Sequence, residues 1–252
     1  MNIVLIGAGN VATILGKKLH QVGHTIVQVW SRKIEVADTL AIDLNAVCIN
    51  NINDLVQHAD VYIIAIADAA IIQMATQIKV NNAIVVHTAG AISKYALQQA
   101  SDNYGVLYPL QSLNKINASL DIPIPLLIDA NNAKNIQIIQ TLANSISTDV
   151  STVNDEDRLH LHLAAVIVNN FTNHLYALAN NYCIKYGIDF KKLQPLIEET
   201  AHKLRYHTPE NVQTGPAIRH DSATMTKHLQ LLAGDEKLKF IYLKLSESIL
   251  EM

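Results

Sequence analysis

Three groups of residues in this 252-residue chain have types and spacings that could do chemistry. The first is Gly7-Ala8-Gly9-Asn10-Val11-Ala12, directly after the apolar run Ile3-Val4-Leu5-Ile6. In a strand–GxGxxA–helix order, Gly7 permits a tight turn and Gly9 lets backbone amides approach a pyrophosphate. Ala12 allows close helix–strand packing, and a helix starting near Asn10 aims its amide end at the phosphates. The same glycines also fit a plain strand-to-helix turn. The next apolar run, TIVQVW, ends at Trp30-Ser31-Arg32, about where a ribose-reading residue belongs. An NAD site usually has Asp or Glu there. Ser31 and Arg32 offer instead a hydroxyl and a guanidinium, the pair expected to clasp a 2′-phosphate, so NADP is favoured over NAD. The alternative for Arg32 is a solvated loop residue.

The second group lies in DEDRLHLHLAAVIVNNFTNH. His162 and Asn169 are seven apart, which returns them to nearly one face of a helix, with Asn170 and Asn173 bordering it. Buried imidazole and carboxamides need water, a protein network or a ligand. The third group is Thr214-Gly215-Pro216-Ala217-Ile218-Arg219-His220-Asp221. Its Gly-Pro turn fixes a loop before a helix, Arg219 offers a fork for a carboxylate or phosphate, and Asp221 reads as a helix cap. His228, seven further on, would face the same side as Asp221. Eleven histidines raise the question of metal. However, His160 and His162 diverge on a helix, His202 and His207 have no clear third ligand, and no HExxH or Cys/His spacing occurs. No metal is expected.

The elements that must position these groups follow two rhythms. From 1 to about 150, β-branched runs (NIVLIG, TIVQVW, VYIIAIA, AIVVHTA, GVLYPL, IPLLID) alternate with amphipathic stretches such as VATILGKKLHQVG, IEVADTLAIDL and AAIIQMATQIK. Apolar runs without alternation suit strands buried on both faces of a parallel sheet. After about 153 the strands stop. DEDRLHLHLAAVIVNNFTNHLYALANNYCIKYG reads as one helix of roughly 30 residues, opened by acids and closed at Gly187. Three further helical stretches follow, with Asp189 and Asp221 at N-cap positions. The expected fold is α/β, a doubly wound Rossmann domain (1–153) followed by an all-α domain (154–252) for substrate binding and dimerisation. So long a helix must be covered by the first domain or by a second subunit.

Composition limits the partners. Hydrophobic residues make up 50%, charged residues 16%, and the formal net charge is -3, with no basic run for a nucleic-acid backbone. VYIIAIA is far too short to span a bilayer, and the start of the chain has no basic leader or cleavage site. A soluble cytoplasmic protein without nucleic-acid or membrane partners is expected. Cys48 and Cys183 read as buried thiols, with a disulfide left open.

With these pieces in place the chain resembles the 6-phosphogluconate-dehydrogenase-like reductases, among them pyrroline-5-carboxylate reductase and the deazaflavin-dependent NADP reductases. More closely it is similar to a bacterial family labelled NADP oxidoreductase, whose helical domain is a domain of unknown function. The matching pieces are GAGNVA, WSR, ADVYIIAIAD, HTAG, YPLQSL, HLAAVIVNNF and TGPAIRHD, which together span essentially the whole chain. The resemblance implies that the loop at Ala67-Asp68 lies along a nicotinamide ribose and that Thr88-Ala89 leave room for its ring. Asp68 could equally cap the next helix, and His87 either orients a substrate or bonds within its loop. Relatives commonly carry His where this chain has Tyr108, and a phenol donates a proton more readily than it accepts one near neutrality. The Lys that precedes an Asn by one turn in β-hydroxyacid dehydrogenases is absent, since Ala165 and Val166 hold those positions.

These readings combine into an NADP(H)-dependent oxidoreductase that transfers hydride to a C=N or C=O of a small anionic molecule at the interdomain cleft. The catalytic candidates are His162, Asn169, Asn170, Tyr108 and Arg219. The cofactor candidates are Gly7, Gly9, Asn10, Val11, Ser31, Arg32, Ala67, Asp68, Thr88 and Ala89. A homodimer through the long helix is expected. The rival reading is an NADP(H)-binding sensor or regulatory protein without turnover.

Overall fold

The computed structural model describes residues 1–115 and 122–251. Its sheet follows from the apolar runs: β1 (Asn2–Ile6), β2 (Thr25–Trp30), β4 (Val61–Ile64), β5 (Ile84–His87), β6 (Asn103–Pro109) and β7 (Leu126–Ala130). Two strands that the pattern had not indicated, β3 (Val47–Ile49) and β8 (Val150–Thr152), complete the order β3-β2-β1-β4-β5-β6-β7-β8. Every pairing is parallel except β6 with β7, which run antiparallel from Gly105↔Ala130 to Pro109↔Leu126.

Side chains alternate across this sheet and divide the core in two. Ile3 and Leu5 of β1, with Val61 and Ile63 of β4, face a cluster built with α1 (Asn10–Gln21), α2 (Ile34–Leu44) and α4 (Ala133–Asn144). Val4, Ile6, Tyr62 and Ile64 face the opposite cluster, where Ile71, Met74 and Ala75 of α3 (Asp68–Gln77) close the layer. Both faces are covered, so the strands can be apolar throughout.

The chain divides into two compact units, Met1–Asn170 and Phe171–Met252. The boundary therefore falls later than the expected break after 153. The reason is a buried cation that fastens α5 (Asp155–Ala165) to the first unit. Arg158, 1% exposed, donates from Nε to Gly90 O at 3.2 Å and from Nη2 to Ile92 O at 2.6 Å and Asp155 Oδ1 at 2.7 Å. The helical run continues past α5 through a π-helical turn, Val166–Phe171, into α6 (Thr172–Lys185), and the chain turns at Gly187 with φ 66°.

The second unit also holds α7 (Gln194–Lys203), α8 (Ser222–Leu231) and α9 (Glu236–Leu250). Asp189 accepts from the Lys191 amide, Asp221 from the Thr224 amide and Asp235 from the Leu238 amide, each at 3.0 Å. They cap the turn before α7, α8 and α9 respectively. Among its described residues only Cys183, Ala217, Leu232 and Ser246 are buried, while Phe171, Leu196, Tyr206 and Phe240 are each more than half exposed. No helix among the described residues is long and apolar enough to cross a membrane.

Candidate functional site

Connections leave β1 toward β2 and β4 toward β5, so the carboxyl ends of β1 and β4 form the switch point where open α/β sheets bind ligands. A cleft of about 610 Å³ opens there. The turn after β1 is held by the Gly7 amide on Trp30 O at 2.8 Å. Gly7 has φ 125°, and a Cβ there would stand 2.1 Å from Ala65 O, so only glycine fits. Gly9 differs: a Cβ there would meet nothing within 4 Å among the described residues. That helix has neither a capping side chain nor an acid in its first turn, so its free amides face the cleft with their positive end. The residues present fit the pyrophosphate of a dinucleotide.

Nine of the ten cofactor candidates line the cleft: Gly7, Gly9, Asn10, Val11, Ser31, Arg32, Ala67, Asp68 and Thr88. Ala89 does not; it is 5% exposed and packs into the α3-side core, its amide donating to His87 Nδ1 at 3.2 Å. Asp68 caps nothing, because Ala67 occupies the cap position and Asp68 is the first residue of α3. Trp30 Nε1, buried in the cleft wall, has no hydrogen-bond partner among the described residues. A second cavity of about 550 Å³ adjoins the cleft at Ser31 and Arg32 and adds Lys33 and Lys115.

Of the catalytic candidates, Tyr108 and His162 come together. The Tyr108 hydroxyl lies 3.0 Å from His162 Nδ1, and the rings meet edge-on at 5.9 Å. β6 presents Tyr108, and α5 presents His162 one turn after the anchored Arg158. His162 lies against Gly90, where a Cβ would come within 2.7 Å of its ring. Burial raises the Tyr108 phenol above its ordinary value of 10.0, the Asp68 carboxylate adds to the rise, and the Arg158 guanidinium partly offsets it. The phenol is therefore protonated throughout the neutral range and shares a hydrogen bond with the imidazole.

Asn169 and Asn170 do not join this pair. Both are exposed and lie in the π-helical turn, whose wider i→i+5 bonding means that seven residues no longer make two full turns. Arg219 is exposed in the second unit, in the loop between Gly215 (φ 117°) and α8. His228 bonds through Nδ1 to the Tyr242 hydroxyl at 2.9 Å within that unit.

Two residues that sequence reasoning missed shape the site. Lys115 lies far in sequence from the motifs it joins and gives no signal. Arg158 gave a faint one: a cation in the acid-rich first turn of a helix, where the helix dipole disfavours it. Its partner Asp155 also accepts from Ser93 Oγ and from the Lys94 amide. Burial would raise the Asp155 carboxyl, but the hydrogen bonds from Ser93, Arg158 and Lys94 bring it below its ordinary value.

His87 is fully buried and bonds within its loop, Nε2 to Ser93 O at 3.3 Å. Burial first, then the Arg158 charge, lowers it from 6.5 to about 4. It is neutral in the folded protein and takes up a proton more readily unfolded, so it favours folding fully above pH 6.5. That stability is lost as pH falls toward 4, by about 3 kcal/mol. Denaturant melts of wild type and His87→Gln between pH 7 and 4 should show a shallower loss in the variant. Parallel curves would refute the assignment.

Fold and cleft together define a protein with a Rossmann-like unit, whose switch-point cleft fits a dinucleotide, followed by a helical one. Residues 2–90 match the family described as NADP oxidoreductase coenzyme F420-dependent, and residues 124–249 match the domain of unknown function DUF2520. The chain is 39% identical to "putative NADP oxidoreductase BF3122 from Bacteroides fragilis", covering 100% of this chain and 98% of that one with a TM-score of 0.94. Two more distant structures share the fold. The 1-pyrroline-5-carboxylate reductase of Streptococcus pyogenes is 15% identical over 100% and 99% of the two chains, with a TM-score of 0.66. The imine reductase of Myxococcus stipitatus, solved with NADP+, is 16% identical over 100% and 92%, with a TM-score of 0.65. No curated protein matches the chain. The chain belongs to the family that joins an NADP oxidoreductase domain to DUF2520 and has the fold of NADP-dependent oxidoreductases.

Proposed function

We propose that this protein is an NADPH-dependent reductase acting on a C=N or C=O bond of a small anionic substrate, in the cytoplasm and as a homodimer. The observation that carries the reading is the Tyr108–His162 pair at 3.0 Å, a protonated donor whose phenol feels the cleft residue Asp68. Bound NADPH would supply the hydride. The chain's own work is to hold the nucleotide and move a proton. Gly7, Gly9 and the first turn of α1 would take the pyrophosphate, and Ser31 and Arg32 the 2′-phosphate. Tyr108 keeps its proton at neutral pH, ready to pass it, directly or through His162, to the nitrogen or oxygen of the reduced bond. Arg219 is proposed to hold the anionic group and Asn169 and Asn170 to orient the substrate.

In this reading the first unit carries the cofactor and the second serves substrate binding and dimerisation. The names of the pyrroline-5-carboxylate and imine reductases support a C=N substrate. The few buried residues of the second unit support a homodimer, since its exposed apolar side chains need a partner. The free thiols Cys48 and Cys183 suit a reducing compartment.

The test is a fluorescence titration with NADPH and NADH, repeated with Arg32→Ala, followed by turnover of a cyclic imine carboxylate and of 2-oxoacids. Preference for NADPH that collapses in Arg32→Ala, with imine-dependent oxidation of NADPH, is expected. Binding of neither nucleotide would overturn the reading. Binding without turnover of any C=N or C=O substrate would favour the sensor.

A further inference from the structure

The cavity beside the cleft holds an unusual set of charges. Arg32, Lys33 and Lys115 all line it together with Ala8, Gly9 and Ser31, and among the described residues no carboxylate does. None of the three cations takes part in an ion pair among the described residues. All three are exposed, so their mutual repulsion in water is modest, and together they offer a concentrated positive field to a multiply charged anion. A pyrophosphate diester carries one charge per phosphorus and already has the amide end of α1. Three further cations exceed that need and match a phosphomonoester, which carries nearly two charges.

Lys115 is the member that no local motif contributes. It arrives from the segment after β6, and its backbone amide donates to Asn10 Oδ1 at 3.3 Å. The residue that opens α1 thus fixes where Lys115 stands. Ser31 completes the set: its Oγ accepts from the Lys33 amide at 3.3 Å, which leaves its O–H free to donate to a phosphate oxygen. Lys115 also lines a neighbouring cavity of about 430 Å³ that contains Glu35 and Asp43. Asp43 is held by Lys17 at 2.7 Å, so Glu35 is the competitor for the Lys115 ammonium on that side.

We infer that Lys115 is a specificity-determining residue: with Ser31, Arg32 and Lys33 it binds the 2′-phosphate of an adenosine nucleotide and discriminates against the unphosphorylated ribose. This rests on the NADP reading above and extends it to a residue outside the strand-tip motif. A ribose phosphomonoester could be attached at the 2′ or the 3′ position, and the test separates the two.

The experiment is calorimetric titration of wild type, Lys115→Gln and Lys115→Arg with adenosine 2′,5′-bisphosphate, adenosine 3′,5′-bisphosphate and AMP. Wild type should bind the 2′,5′-bisphosphate most tightly. Lys115→Gln should lose roughly tenfold for that ligand alone, about the worth of one charge-assisted hydrogen bond, with AMP unchanged. Lys115→Arg should restore most of the loss. An equal loss for AMP and the bisphosphate, or no loss at all, would overturn the inference even with NADPH preference and Arg32 dependence intact. Tighter binding of the 3′,5′-bisphosphate would overturn the 2′ assignment. Failure of wild type to bind any adenosine nucleotide would overturn the nucleotide reading and this one with it.

Discussion

Gly7→Ala is expected to abolish NADPH binding and to lower the melting temperature by on the order of 5 °C. Two costs coincide at this residue. The backbone sits at φ 125°, which an L side chain rarely adopts, and the new methyl would stand 2.1 Å from Ala65 O and 3.2 Å from the Ile66 side chain. The carbonyl cannot yield cheaply, because it lies on the backbone leaving β4, beside the strand pairing Ile6↔Ile64. Relief therefore comes from moving the turn, which displaces the first amides of α1. Gly9→Ala is the matched control. Its methyl meets nothing within 4 Å among the described residues, so the fold should melt as wild type does while the methyl enters the phosphate's space and weakens NADPH binding. If Gly9→Ala bound NADPH as tightly as wild type, the pyrophosphate would have to lie elsewhere.

Tyr108→Phe should lower kcat by about 10²- to 10⁴-fold, the range for losing a general acid, and leave the NADPH dissociation constant within error of wild type. The phenol is shifted upward by burial and by Asp68, so wild-type activity should show no loss from its ionisation below pH 10. The partner can be tested without touching either ring. Gly90→Ala would push a methyl to 2.7 Å from His162 Cγ and Nδ1, forcing the imidazole away from the hydroxyl. Its kcat should fall in the same direction while nucleotide binding persists. Should Tyr108→Phe keep full turnover, the proton would have to come from elsewhere and the pair would be structural.

What the sequence made legible was what is local in the chain. GAGNVA and Trp30-Ser31-Arg32 lie within a few residues of the strands that present them, and strand runs such as TIVQVW carry burial on both faces in their composition. Direction and distance were harder. Nothing in LLIDA distinguishes an antiparallel neighbour of β6 from a parallel one, because side-chain alternation is the same in both. The π-helical turn looks α-helical in composition, which put Asn169 on the wrong phase relative to His162. α4 hides Ile139, Leu142 and Ala143 among Asn and Gln, although Asn132, accepting from the Asn135 amide at 3.0 Å, marks its start. Ala89 was assigned to the cleft from its place at a strand tip, but its side chain faces the core. Lys115 and Arg158 work through partners far away in sequence, which no spacing rule reaches.

The eight-stranded sheet ends on both sides in strands of only three residues, Val47–Ile49 and Val150–Thr152. The outermost backbone of a sheet carries unused donors and acceptors that can recruit another molecule into an endless ladder. Here each border offers too short a row to hold a stray chain in register. The brevity that kept these two segments from standing out as strands also leaves little backbone for edge-to-edge association.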